Sequence, residues 1–119
     1  MTNDQSYPQN VIKAIQHHDQ NVIMELAGEI DIKCSAKIKD KFKEIFRQKP
    51  HSVIVDMTEV SFMDSSGLAV LVGALKQSRI NNSKLKLAGL TKDVRDIFEI
   101  CRLETIFQFF DTTDEALLK

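Results

Sequence analysis

Residues 52–75 read SVIVDMTEVSFMDSSGLAVLVGAL, and two hydrophobic periods meet inside them. Ser52-Val53-Ile54-Val55-Asp56-Met57 is a short, nearly continuous apolar run, the pattern of a central strand covered on both faces. From Leu68 the spacing changes: Leu68, Leu71, Val72 and Leu75 mark one helical face, ending near Arg79. Thr58 to Met63 reads as a short loop between the two, with Asp56 ending the strand. A buried strand feeding an amphipathic helix is the building unit of α/β layer folds.

Working outward, the same alternation continues. Asn81-Asn82-Ser83 is a turn, and Lys84-Leu85-Lys86-Leu87-Ala88 alternates as a strand with one face in water. Gly89 breaks it. Val94, Ile97, Phe98 and Cys101 predict a third helix, Ile106 to Phe110 a last strand, and Asp114 to Lys119 a final helical turn or two. Upstream, Ile38, Phe42, Ile45 and Phe46 fall at i, i+4, i+7 and i+8, which predicts a first helix over about 35–48. Ser35 is its expected cap, and Pro50 follows its end. Val11–Gln16 and Val22–Ile30 read as strands around a polar turn, His17 to Asn21, and so as an antiparallel hairpin. Residues 1–9 read as a flexible N-terminal arm and 10–119 as one domain.

The composition agrees. The chain has 119 residues, 43% apolar and 28% charged, long enough to bury a core without staples. Sixteen basic and seventeen acidic residues leave a net charge of −1, without the basic footprint of a nucleic-acid binder. The longest apolar run, Leu68–Val72, falls far short of the roughly 20 residues a spanning helix needs. Cys34 and Cys101 show no metal or redox spacing and fit a reducing compartment. His17, His18 and His51 show no ligand spacing. Charge is uneven only between Lys33 and Lys49, where seven basic residues face two acidic ones, a net +5. That stretch reads either as a solvated helix face or as a docking surface for an acidic partner or anionic membrane.

The segment between the central strand and the second helix carries the chemistry. Asp64, Ser65 and Ser66 are all helix-capping types, because their side-chain oxygens accept from free backbone N–H groups. Gly67 allows close approach of another chain, or an unusual backbone angle. The simplest reading is an N-cap cluster. The same position suits a switch: a helix start carries unpaired donors and partial positive charge, which stabilises a phosphate placed there. One phosphoserine adds about −1.5 to −2 charge beside Asp64.

Asp56-x-x-x-x-Ser61-Phe62-Met63-Asp64-Ser65-Ser66-Gly67-Leu68 resembles the signature of bacterial anti-sigma factor antagonists, the STAS-domain family. Leu26-Ala27-Gly28-Glu29-Ile30-Asp31, Val53–Asp56, and Leu85–Leu90 with Val94, Ile97, Phe98 and Leu103 extend the resemblance over nearly the whole chain. Where the family often has Thr-Ala at the start of its first helix, this chain has Ser35-Ala36, and its lysine-rich first helix is less typical. The resemblance implies a STAS fold: a mixed sheet of four to five strands with helices packed on it and an N-terminal antiparallel hairpin.

It further implies partner switching. The unphosphorylated antagonist binds an anti-sigma factor that is also a serine kinase, which frees the sigma factor. Phosphorylation of a serine at the start of the second helix abolishes binding, and a PP2C-type serine phosphatase restores it. The acceptor position matches Ser66, with Ser65 as its neighbour and fallback. Asp31, Asp64, Ser65, Ser66 and Gly67 match the partner-binding surface. No cofactor, metal, nucleic acid or membrane is expected, and the chain is expected to be a cytoplasmic monomer. The alternative is a STAS adaptor in a stress-signalling or lipid-trafficking complex without a phospho-switch.

Other chemistries have little to start from. No G-x-S-x-G elbow or linked histidine makes Ser66 a hydrolase nucleophile, so no catalytic residue is expected. No glycine-rich phosphate loop points to a nucleotide. Met24, Met57 and Met63 read as core filler. Cys101, on an apolar helix position, is expected to be buried, and Cys34 exposed.

Overall fold

A computed structural model describes residues 11–119; the expected arm over 1–9 lies outside the described residues. The elements are β1 (Ile12–His18), β2 (Asn21–Ile30), α1 (Ser35–Arg47), β3 (Ser52–Met63), α2 (Ser65–Ile80), β4 (Lys84–Ala88), α3 (Lys92–Ile100), β5 (Gln108–Phe110) and α4 (Thr113–Leu118). The strands form one sheet in the order β1-β2-β3-β4-β5. β1 pairs antiparallel with β2, and every later pair is parallel. The mixed α/β sheet and the hairpin are therefore as expected, with five strands in simple sequence order. The hairpin turn is tighter than expected: only Asp19 and Gln20 leave the strands, Asp19 taking a left-handed φ of 56°.

Period two along the strands sorts the side chains between two layers. Val22, Met24, Val53, Val55, Leu85 and Leu87 share one core with Ile38 and Phe42 of α1, Leu68 and Leu71 of α2, and Val94 and Phe98 of α3. Their alternates Ile23, Ile54 and Ala88 pack with Ala116 of α4 on the opposite face. Three helices thus cover one face, as successive crossovers of one hand require. Short α4 covers part of the other. Both faces of β3 are closed over Val53–Val55, which is why its first half is a nearly continuous apolar run. Met24, Met57 and Met63 are all buried, as read from the sequence.

Several local expectations are corrected. Thr58–Met63 is not a loop but the second half of β3, paired with Ala27–Ile30 of β2. Asp56 therefore sits inside the strand. Its Oδ1 accepts from the backbone N–H (3.0 Å) and hydroxyl (2.6 Å) of Thr58, beside an irregularity in the β2–β3 register. A second irregularity falls at Gly28, whose φ of 86° suits glycine. These irregularities blurred the alternation. α1 is capped at Cys34 without a side-chain bond, and Ser35, the expected cap, is already helical, its hydroxyl donating to the Ile32 carbonyl.

β4 has no watery face along most of its length: only Lys84 is exposed. Lys86 points beneath α4, is 3% exposed, and donates from Nζ to the Ala116 carbonyl at 2.7 Å. The carbonyls of a helix's last turn lack helical partners, and an ammonium satisfies one of them. Cys101 is exposed, because α3 ends at Ile100 and leaves it at the C-cap; Cys34 is half-buried. β5 begins at Gln108 rather than Ile106. Phe107 and Phe109 instead pack edge-on to Phe98, at ring-centroid distances of 5.2 and 5.3 Å.

Candidate functional site

The site is built at the far ends of β2 and β3. β4 ends at Ala88, opposite Asp56, but β2 and β3 continue as a pair to Ile30 and Met63. The ribbon carries the start of α2 beyond β4. One hydrogen bond locks it there: the Asp64 N–H donates to the Ile30 carbonyl at 3.1 Å. Gly67 is the contact residue. A Cβ at that position would lie 2.6 Å from Met63 Cγ, 2.8 Å from Ile30 Cγ2 and 3.0 Å from the Ile30 carbonyl oxygen. Only glycine lets the first turn of α2 sit this close to β2, so its role begins with packing.

Asp64 is the N-cap. Its Oδ1 accepts from the backbone N–H of Ser66 (2.9 Å) and of Gly67 (3.1 Å), and from the Ser66 hydroxyl (2.6 Å). The Ser66 hydroxyl bond is the main reason its carboxyl titrates below the ordinary aspartate range; partial burial opposes it, and the N–H groups of Gly67, Ser66 and Ile32 reinforce it. Ser65 is exposed and Ser66 half-buried. Asp31 lies in the β2–α1 loop at the same end of the sheet, next to Ile30, whose carbonyl accepts from the Asp64 N–H. Its Oδ1 accepts from the Lys33 N–H at 2.9 Å, and its carbonyl accepts from the N–H groups of Cys34 and Ser35. The fold thus gathers Asp31, Asp64, Ser65, Ser66 and Gly67 at one end, although Asp31 is 33 positions before Asp64.

The geometry changes one expectation. The α2 start is not an open phosphate cradle, because Asp64 already occupies the N–H groups of Ser66 and Gly67. The hydroxyl of Ser66 is fixed as a donor to a carboxylate. The three histidines are remote from it. His17 and His18 end β1 beside the start of β2, and the His51 N–H donates to the Gln20 carbonyl, so all three sit at the opposite end of the sheet. Nine residues of strand separate these ends, about 30 Å at about 3.3 Å per residue.

Sequence reading missed a cleft behind the cluster. A groove of about 380 Å³ runs between α1 and α2, lined by Ser35, Lys39, Phe42 and Lys43 on one side. Ser66, Ala69, Val70, Gly73, Ala74 and Gln77 form the other. These are helical stripes, i, i+4, i+7, i+8 on α1 and i, i+3, i+4, i+7, i+8, i+11 on α2. Two exposed apolar residues also escaped notice, Ile32 (73%) beside Asp31 and Phe62 (48%) before Asp64. Among the described residues no helix is long and apolar enough to cross a membrane.

Comparison with known proteins agrees with this architecture. The anti-sigma-B factor antagonist of Listeria monocytogenes is 38% identical over 108 residues, covering 89% of this chain and 94% of that protein. An anti-sigma factor antagonist from Mycobacterium paratuberculosis superposes with a TM-score of 0.83 at 20% identity, covering 94% and 95% of the two chains. The unphosphorylated form of the antagonist SpoIIAA superposes with a TM-score of 0.77 at 24% identity, over 87% and 91%. The family profile of the STAS domain matches residues 13–116, and the chain belongs to the STAS-domain family.

Proposed function

We propose that this chain is an anti-sigma factor antagonist working by partner switching, in the cytoplasm and as a monomer. Its unphosphorylated form binds an anti-sigma factor that is also a serine kinase, and a sigma factor is released. The kinase phosphorylates Ser66, binding is lost, and a PP2C-type phosphatase restores it. Asp31, Asp64, Ser65, Ser66 and Gly67 form the docking end. The relative from Listeria monocytogenes, itself an anti-sigma-B factor antagonist over almost its whole length, supports this reading.

The observation that carries it is the Ser66 hydroxyl. It stands on a projecting helix start and bonds at 2.6 Å to Asp64. A phosphate on Ser66 Oγ ends that donation and sets a second anion against the carboxylate. The docking surface is then changed in charge. Ser65 is the less favoured acceptor, because its hydroxyl is not tied to the cap.

The test pairs phosphosite mapping with binding. Incubation with the cognate kinase and ATP is expected to add one phosphate, located on Ser66 by mass spectrometry. Ser66→Ala is expected to bind the kinase without being turned off, and Ser66→Asp to bind more weakly. Modification only elsewhere, or equal affinities for both variants, would reject the switch in favour of a passive adaptor.

A further inference from the structure

The +5 stretch around α1 divides once its side chains are placed. Lys41 is paired with Glu44 at 2.7 Å. Lys39 and Lys43 have no ion-pair or hydrogen-bond partner among the described residues, and both line the groove that Ser66 also lines. We infer that Lys39, with Lys43 behind it, forms a receiving site for the phosphate of phosphorylated Ser66, bridging α1 to α2 across the groove. The inference rests on Ser66 being the phosphoacceptor.

Three steps of geometry support the bridge. First, three of the N–H groups at this helix start are taken: Asp64 holds those of Ser66 and Gly67, and the Leu68 N–H bonds to the Asp64 carbonyl. Second, Asp64 repels the new dianion, which must turn away from it, and Ser66 also borders the groove. Third, α1 and α2 each connect neighbouring parallel strands, so they run in the same direction and start at the same end of the sheet. Ser35 and Ser66 both line the groove near the starts of their helices. Lys39 lies one turn on, about 6 Å along the axis at 1.5 Å per residue. Helical side chains lean toward the N-terminus, which directs its stem back toward the helix start where Ser66 lies. Helix axes in contact lie about 8–10 Å apart, a span that a flexible lysine stem and a phosphoserine share between them. Lys43, a further turn down, reaches the same mouth less directly.

The charged groups around the phosphate are then Asp64 at the α2 cap, Asp31 and Lys33 in the β2–α1 loop, and Lys39 and Lys43 on α1. The bridge draws Lys39 across the groove mouth. One modification therefore charges the α2 start and covers the cleft behind it.

The experiment places phosphoserine at position 66 during translation, by suppression of a stop codon, so that no kinase is involved. The second ionisation of the phosphate is followed by 31P NMR across pH 4–9. Its ordinary midpoint is about 6. The wild-type chain is expected to titrate about one unit below the Lys39→Gln/Lys43→Gln double variant, because ammonium groups favour the dianion. Lys39→Gln alone is expected to give most of that shift, and Lys41→Gln none. Lys39 and Lys43 are exposed, so their replacement leaves the core intact. Equal midpoints in the wild type and the double variant would overturn the inference. So would an equal shift from Lys41→Gln, since that would be the general field of a basic helix. Failure of a kinase to modify Ser66 shows instead in the phosphosite mapping, and the two outcomes remain separate.

Discussion

Two glycines of α2 make opposite demands, and the same substitution tests both. Gly67 is buried in the first turn, where an added methyl meets Met63 Cγ at 2.6 Å, Ile30 Cγ2 at 2.8 Å and the Ile30 carbonyl at 3.0 Å. Carbon atoms in favourable contact sit about 3.5–4.0 Å apart, so about 1 Å of room is missing. Ile30 and Met63 are themselves only 2% and 1% exposed, and the Ile30 carbonyl already accepts from Asp64. Relief must come from parting α2 from the β2–β3 ribbon, which strains that hydrogen bond. Gly73 is exposed in the middle of α2, with nothing within 4 Å of an added Cβ. Alanine is worth up to about 1 kcal/mol over glycine in a helix, a gain available at both sites. At Gly67 the overpacking cost of about 1–3 kcal/mol opposes it. Gly73→Ala should therefore raise the stability measured by urea unfolding by about 0.5–1 kcal/mol. Gly67→Ala should lower it by about 1 kcal/mol, a separation of nearly 2. If Gly67→Ala proves as stable as Gly73→Ala, the close approach that positions Ser66 is not a packing constraint.

Two further outcomes are expected. Burial under α4, aided by the charge of Lys84, lowers the proton affinity of Lys86 below that of an unfolded lysine at 10.5. Between that lowered value and 10.5 the unfolded chain binds more protons, so this group makes stability rise with pH in that window and leaves it flat below. Lys86→Met should lack this rise, so that the stability difference between wild type and variant, measured by urea unfolding against pH, grows across that window; equal slopes would refute the buried contact. Asp64→Ala should cost about 1 kcal/mol of stability at neutral pH through loss of the α2 cap. Because the folded carboxyl titrates below the unfolded value of 3.8, that contribution is full above 3.8 and fades as pH falls through the folded value. Wild type and variant should converge in acid urea titrations; a gap that persists would mean the carboxylate is not the stabilising group.

Much of the architecture is local, and local patterns are readable in the chain. Ile38, Phe42, Ile45 and Phe46 are the buried face of α1 for the reason their spacing suggests, and Val53 to Val55 are covered on both faces. The second half of β3 resisted reading because Asp56 and Thr58 bond to one another beside a register irregularity, so Thr58 and Glu59 both face water and the alternation breaks. Lys86 resisted for a different reason. Its neighbours alternate as a half-exposed strand would, and only a helix 30 residues later in the chain, with an unpaired carbonyl at Ala116, turns that watery face into an interior. Cys101 kept the helical period by chance of spacing, although the helix had ended one residue earlier.

The site divides along the same line. Asp64, Ser66 and Gly67 are within three residues of each other, and capping chemistry makes their association visible in the sequence alone. Which donors the cap consumes is also local, yet it reverses the simplest expectation for a phosphate: a cap that is filled leaves no cradle. What a phosphate meets instead depends on which side of α1 faces α2. Seven basic residues between Lys33 and Lys49 are equivalent as a count, but packing assigns Lys39 and Lys43 to the groove and leaves Lys41 to Glu44. A charge run acquires a function only when a neighbouring element selects some of its members. Here the selecting element is the helix that begins with the serine, so the acceptor and the cations that would receive its phosphate are chosen by one packing contact.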